Sequence, residues 1–118
     1  MATVLTQAGE EWIVDKLDVA TRADWCAWGS GAGAAGKGRT TLYTEETEAR
    51  IQGVTTQPLA DMLQVVGTMV CLLLPKTITN AGLFTANAGP TLVLMGDFTG
   101  IPLLVNDAIQ FTYTLEIT

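Results

Sequence analysis

The sequence predicts a mainly β chain: an antiparallel β-sandwich, jelly-roll-like, with one short N-terminal helix. Three observations carry this expectation. Ile109, Phe111, Tyr113, Leu115 and Ile117 alternate strictly with Gln110, Thr112, Thr114, Glu116 and Thr118, the period of a strand with one buried and one wetter face. From Thr40 onward Thr and aliphatic residues dominate, and turn signals interrupt them at Pro75-Lys76, at residues 87–90 and at Asn106-Asp107. Trp12, Ile13 and Leu17 fall near helical spacing behind Glu10 and Glu11, acids that suit the positive end of a helix dipole. Many short strands, tight turns and a single helix fit two sheets packed face to face.

The helix is expected over roughly Glu10–Val19, with Thr6 or Gln7 able to start it, inside a helical segment covering residues 1–23. Its apolar stripe is Trp12, Ile13, Leu17 and Ala20. Three turns are too few to stand alone, so the helix needs a sheet or a neighbouring chain to lie on. Asp24-Trp-Cys-Ala-Trp28 follows as a short aromatic run. It stops at residues 29–38, where five glycines in ten residues make regular structure costly. That stretch reads as a flexible, exposed loop. Strands are expected at Ala49–Thr56, Met62–Leu74, Thr77–Leu83, Thr91–Phe98 and Ala108–Ile117. The last strand runs to the end of the sequence, which places Thr118 close to the body. No solenoid repeat is present, and 118 residues form a single domain, 1–118, with a core of its own.

Composition narrows the function. The hydrophobic fraction is 48% and the charged fraction 15%, against roughly 25% charged in ordinary globular domains. So little charge suits a chain that spends its life inside an assembly. The net charge is −6 with six basic residues, and only Lys37 and Arg39 stand close together. Nucleic acid and anionic membranes both call for clustered Lys and Arg, so neither is expected as a partner. The N-terminus lacks the basic start and apolar run of a signal peptide. Met62–Leu74, the longest apolar stretch, is too short and interrupted to span a bilayer.

The chain has no histidine, which removes Ser–His and Cys–His nucleophile pairs and the usual structural zinc sets. No cofactor, metal or catalytic residue is expected. Cys26 and Cys71 read as buried free thiols. Gly31 to Lys37 satisfies GxxxxGK, but Gly38 stands where a phosphate-binding loop needs Ser or Thr, and Thr40-Thr-Leu-Tyr-Thr44 is a poor helix start. Glu45, Glu46 and Glu48 form an acidic cluster in a polar stretch, read as a solvated face or a subunit contact to Arg50 or Arg39. Trp12, Trp25 and Trp28 read as core or interface anchors. Leu72, Leu94 and Phe98 complete the interface candidates.

The C-terminal third carries a resemblance. Thr77-Ile-Thr-Asn-Ala-Gly-Leu-Phe84, Leu92-Val-Leu-Met95, Phe98-Thr-Gly-Ile-Pro-Leu103 and Asn106-Asp-Ala-Ile-Gln-Phe-Thr-Tyr-Thr-Leu115 resemble a group of small virion proteins of tailed bacteriophages. Trp28-Gly-Ser-Gly31, Thr40-Thr-Leu42, Glu45-Glu46 and Arg50-Ile-Gln-Gly53 extend the likeness upstream. Asn80 departs from the pattern, where Glu is more usual, and Asn106 stands in place of Gly. The group is similar to head decoration, or cement, proteins and to tail-fibre or adhesin-like modules. The resemblance implies a non-enzymatic structural protein on the outer surface of the capsid, contacting the major capsid protein and itself. A homotrimer would match the three-fold junctions of an icosahedral shell. The alternative it implies is a tail-fibre or adhesin module that binds a host receptor or carbohydrate.

Overall fold

The structure is a computed structural model that describes residues 1–19, 23–89 and 91–117. It is mainly β. Helix α1 spans Gln7–Val19, and the strands are β1 (Trp25–Gly29), β2 (Ile51–Gln52), β3 (Val54–Leu59), β4 (Met62–Val70), β5 (Lys76–Phe84), β6 (Leu92–Leu103) and β7 (Ala108–Glu116). One sheet has the order β2-β1-β5-β6 and the other β3-β4-β7. Every pairing is antiparallel. What falls on residues 20–22, 90 and 118, including Ala20 in the helical stripe and the placement of Thr118, lies outside the described residues.

The two sheets close on one core. Cys26, Trp28, Ile78, Ala81 and Leu83 enter it from the four-stranded sheet, and Val65 and Met69 from the three-stranded one. Ile109, Phe111 and Tyr113 of β7 pack against it. The predicted alternation in β7 is therefore present, although these inward residues are only half-buried. Gly67 marks a close approach of the sheets, since a Cβ there would meet Cys26 Sγ at 2.5 Å.

The outer face of the four-stranded sheet carries a second, smaller core. Ala27 and Phe84 are buried there beneath Leu42, with Trp25, Leu92 and Met95 alongside. Leu42 belongs to a strap, residues 30–50, that crosses this face. Asn80 is fully buried and pins the strap with both ends of its amide. Its Oδ1 accepts from Tyr43 N–H at 3.1 Å, and its Nδ2 donates to Tyr43 C=O at 3.1 Å. A carboxylate at this position could accept the first bond but not donate the second, which gives the departure at Asn80 a structural reason.

Several boundaries differ from expectation for identifiable reasons. Asp24–Trp28 contributes a full strand, β1, which reads as a mere aromatic run because both of its faces are covered and the alternation vanishes. The strand expected at Ala49–Thr56 is two strands, and Gly53 is the crossing between sheets, its N–H donating to Asp24 C=O at 2.7 Å. β4 ends at Val70, leaving Leu72, Leu73 and Leu74 in an exposed loop. β6 continues through Gly96, Gly100 and Pro102, residues that look like turn signals, to Leu103. The glycine-rich stretch begins one residue late: Gly29 ends β1, and Ser30 and Gly31 donate to Thr44 and Tyr43 C=O at 3.1 and 3.0 Å.

Helix α1 starts at Gln7, where the sequence allows it, and Trp12 falls outside its buried face. Thr6 caps it, its Oγ1 accepting from Gly9 N–H at 3.1 Å. The buried line is Glu10 and Val14, while Trp12 is 62% and Leu17 41% exposed. The helix lies along the β3–β4 hairpin, held by Gln7 Nε2 to Asp61 Oδ2 at 3.1 Å and Gln57 Nε2 to Asp15 Oδ1 at 2.8 Å. A hairpin edge offers one narrow line of contact, so the Trp12 side of the helix stays outside.

Candidate interaction surfaces

The charged groups nearest the core are consumed inside the fold. Glu48 is buried. One carboxylate oxygen accepts from Trp28 Nε1 at 3.3 Å, and the other from Leu72 N–H at 3.2 Å and from the Lys76 ammonium. Burial alone would raise its pKa; the Lys76, Leu72 and Trp28 donors outweigh that and hold it down at about 2. Lys76 would be lowered by burial, but Glu48 and Glu46 raise it above its ordinary value. Glu45 makes a two-pronged pair with Arg50, at 2.8 and 3.0 Å. Arg50 also donates to Ala86 and Gly89 C=O and stacks 3.6 Å from the Phe84 ring centre. The acidic cluster is thus a set of internal ties, with Lys76 as a partner that sequence distance hides.

No helix follows the GxxxxGK stretch, so it lacks the helix N-terminus on which such loops seat phosphate. It is the first part of the strap and turns back onto Tyr43, whose Oη donates to Ala34 C=O at 3.0 Å and whose ring carries Arg39 at 3.7 Å. Among the described residues no group of three or more His, Cys, Asp or Glu side chains is placed to hold a metal ion. No described helix is long and apolar enough to cross a membrane.

Exposed apolar side chains group in two places, and half-buried ones line a third. At one end of the sandwich, Leu72, Leu73 and Leu74 stand out beside Leu104 and Val105, all exposed. Their two loops are tied to each other: Cys71 N–H donates to Asp107 C=O at 2.8 Å and Asn106 N–H to Cys71 C=O at 2.7 Å. Asp107 Oδ2 accepts from Leu104 N–H at 2.8 Å, so the leucines are presented by a braced double loop. The second place is the N-terminal arm, where Met1, Val4 and Leu5 are exposed, together with Trp12. The third is the side of the sandwich where β6 and β7 are free edges. There the sheets gape over a cleft of about 310 Å³ lined by Leu94, Met95, Phe98, Phe111 and Tyr113. The side opposite is closed by the Gly53 crossing.

The interface candidates divide accordingly. Leu72 is 60% exposed on the double loop, and Trp12 is exposed on α1. Leu94 and Phe98 line the open cleft, with the Phe98 and Phe111 ring centres 6.1 Å apart. Trp25 is half-buried at the rim of the outer core. Trp28 is a correction: it is fully buried, edge-on to Phe111 at 6.4 Å, and belongs to the core. It sits two residues from Cys26, on the inward face of β1, and only the pairing of the sheets reveals that direction. Sequence reasoning missed Leu73 and Leu74, read as the end of the expected strand Met62–Leu74, and Leu104 and Val105, which lie between the expected strands and carry no signal. Comparison with protein-family models, curated proteins and solved structures gave no match.

Proposed function

We propose that the chain is a non-enzymatic structural subunit of a bacteriophage particle: a capsid cement or decoration protein that forms a homotrimer and seats on the outside of the major capsid protein lattice. The observation that carries the assembly part is the outward display of large apolar side chains at two separate places, the Leu72–Leu74 end and the N-terminal arm, on a chain with 15% charged residues. Monomeric proteins scatter such residues singly, whereas grouped ones mark contact surfaces. The accessible surface, 6932 Å², also exceeds the roughly 6,200 Å² expected of a monomer of this mass. The phage part rests on the sequence pattern of residues 77–115.

The tail-fibre alternative draws on tryptophans lining one groove. Trp12, Trp25 and Trp28 lie on the helix, at the outer core and in the main core, and that separation favours the cement reading. The test is add-back to particles stripped of the protein. Rebinding should restore resistance to heat and osmotic shock and leave adsorption to the host unchanged. Particles that regain adsorption but no robustness would overturn the cement reading in favour of the tail.

A further inference from the structure

We infer that β7 is the acceptor edge for the N-terminal arm of a second copy, which adds Ala2–Thr6 as a fourth strand to the three-stranded sheet. The inference deepens the homo-oligomer part of the proposed function and does not depend on a shell.

The argument starts from the sheet edges. A free edge invites another strand unless something blunts it, such as Pro, charge, a bulge or a covering element. β2 is two residues long. β3 contains Pro58, has a register shift between Thr56 and Leu59, and is in contact with α1. β6 contains Asp97 and Pro102, and its pairing with β5 shifts register twice. β7 has no Pro, bulge or internal charge, and α1 approaches it only at the Tyr113–Leu115 end, where Leu17 shares a small cavity with both. Its pairing with β4 runs unbroken from Met62↔Glu116 to Val70↔Ala108, and its one charge is the terminal Glu116. It is the least guarded edge among the described strands, and it borders the apolar cleft.

The arm is the complementary feature. Ala2-Thr-Val-Leu-Thr6 has strand composition and no charged side chain. Met1 and Val4 are 115% and 84% exposed, so the arm has no seat on its own body. The Thr6 cap fixes where it leaves the helix. Five extended residues reach about 17 Å, and nine residues of β7 offer about 30 Å. Strand alternation would turn Val4 toward the cleft beside Phe98 and Phe111, and Thr3 and Leu5 toward solvent beside Gln110 and Thr112. Each chain gives one arm and accepts one. Such a head-to-tail contact closes into a ring when the rotation permits and leaves no β7 edge free.

Two variants and a cross-link test this. Light scattering should report an oligomer for the full chain. Deleting residues 2–5, or blunting the edge with Thr112→Lys and Thr114→Lys at exposed positions, should weaken association at least about tenfold, equivalent to about 1.4 kcal/mol, with thermal melting of the sandwich unchanged. Mixing Thr3→Cys protein with differently tagged Thr112→Cys protein should give a disulfide-linked pair of the two variants, absent from wild-type controls because Cys26 and Cys71 are buried. A full chain that stays monomeric, an oligomer indifferent to the arm deletion, or a Thr3→Cys/Thr112→Cys double variant that cross-links only within one chain would each overturn the inference. The second of these would leave the proposed assembly role intact on another surface.

Discussion

Asn80 and Glu48 hold the outer segments of this chain by hydrogen bonds that no apolar residue could replace. Asn80→Leu keeps the branched outline, though it is bulkier, and removes both bonds to Tyr43. It leaves the part-buried Tyr43 N–H without its acceptor, at a cost on the order of 1 kcal/mol, while Tyr43 C=O still accepts from Gly31 N–H. Urea denaturation should show that loss, and an unchanged midpoint would refute the pinning role. Glu48, Lys76 and Cys26 set the pH range of stability. Glu48 is held below its unfolded value, so its contribution is complete above pH 4.5 and is lost as pH falls toward about 2. Lys76 is held above its ordinary 10.5, so its contribution is complete below that pH and is lost as pH rises beyond it. Thermal melts should therefore form a plateau from about pH 4.5 to about pH 9, where ionisation of the Cys26 thiol in the unfolded chain begins the alkaline loss, and Glu48→Gln should lower the plateau and flatten its acid limb. Cys26 supplies a third check. Burial, then the Asp24 charge, pushes its thiol up to about 11, so maleimide should label it at neutral pH only when the chain unfolds.

At the scale of elements, legibility follows how many faces a strand exposes. β7 shows its period because one face is wet, and its expected bounds, Ala108–Ile117, miss by a single residue. β1 is covered on both faces, by the main core and by Leu42, and Trp25-Cys-Ala-Trp28 carries no period to read. The distal half of β6 holds Gly96, Gly100 and Pro102, which argue for a turn, yet an edge strand tolerates them because its outer backbone groups need no partner. The helix is legible in existence but not in face. Trp12 looks like an anchor by size, while Val14, a smaller residue, takes the buried place. Trp12→Ala should therefore change stability by no more than about 0.5 kcal/mol, and Val14→Ala should cost about 2 kcal/mol. If Trp12→Ala also weakens self-association, the helix contributes to the contact. The ties of Glu48 to Lys76 and of Asn80 to Tyr43 span 28 and 37 residues, and local sequence holds no signal for either.

The whole molecule measures 54 × 27 × 24 Å, with a radius of gyration of 15.5 Å, against about 13.5 Å for a compact chain of this length. An elongated shape, a braced apolar end and an uncovered arm are features of a part rather than of a finished particle. Low charge points to association from composition alone. Which surfaces carry it depends on where the sheets leave an edge open, and that is a property of the tertiary fold. The most direct measurement is a cryo-electron microscopy reconstruction of particles with the protein bound, set against particles stripped of it. The account predicts three-fold-symmetric density on the outer shell surface at the lattice junctions, present only when the protein is bound. Density confined to the tail, with an unchanged shell, would contradict it.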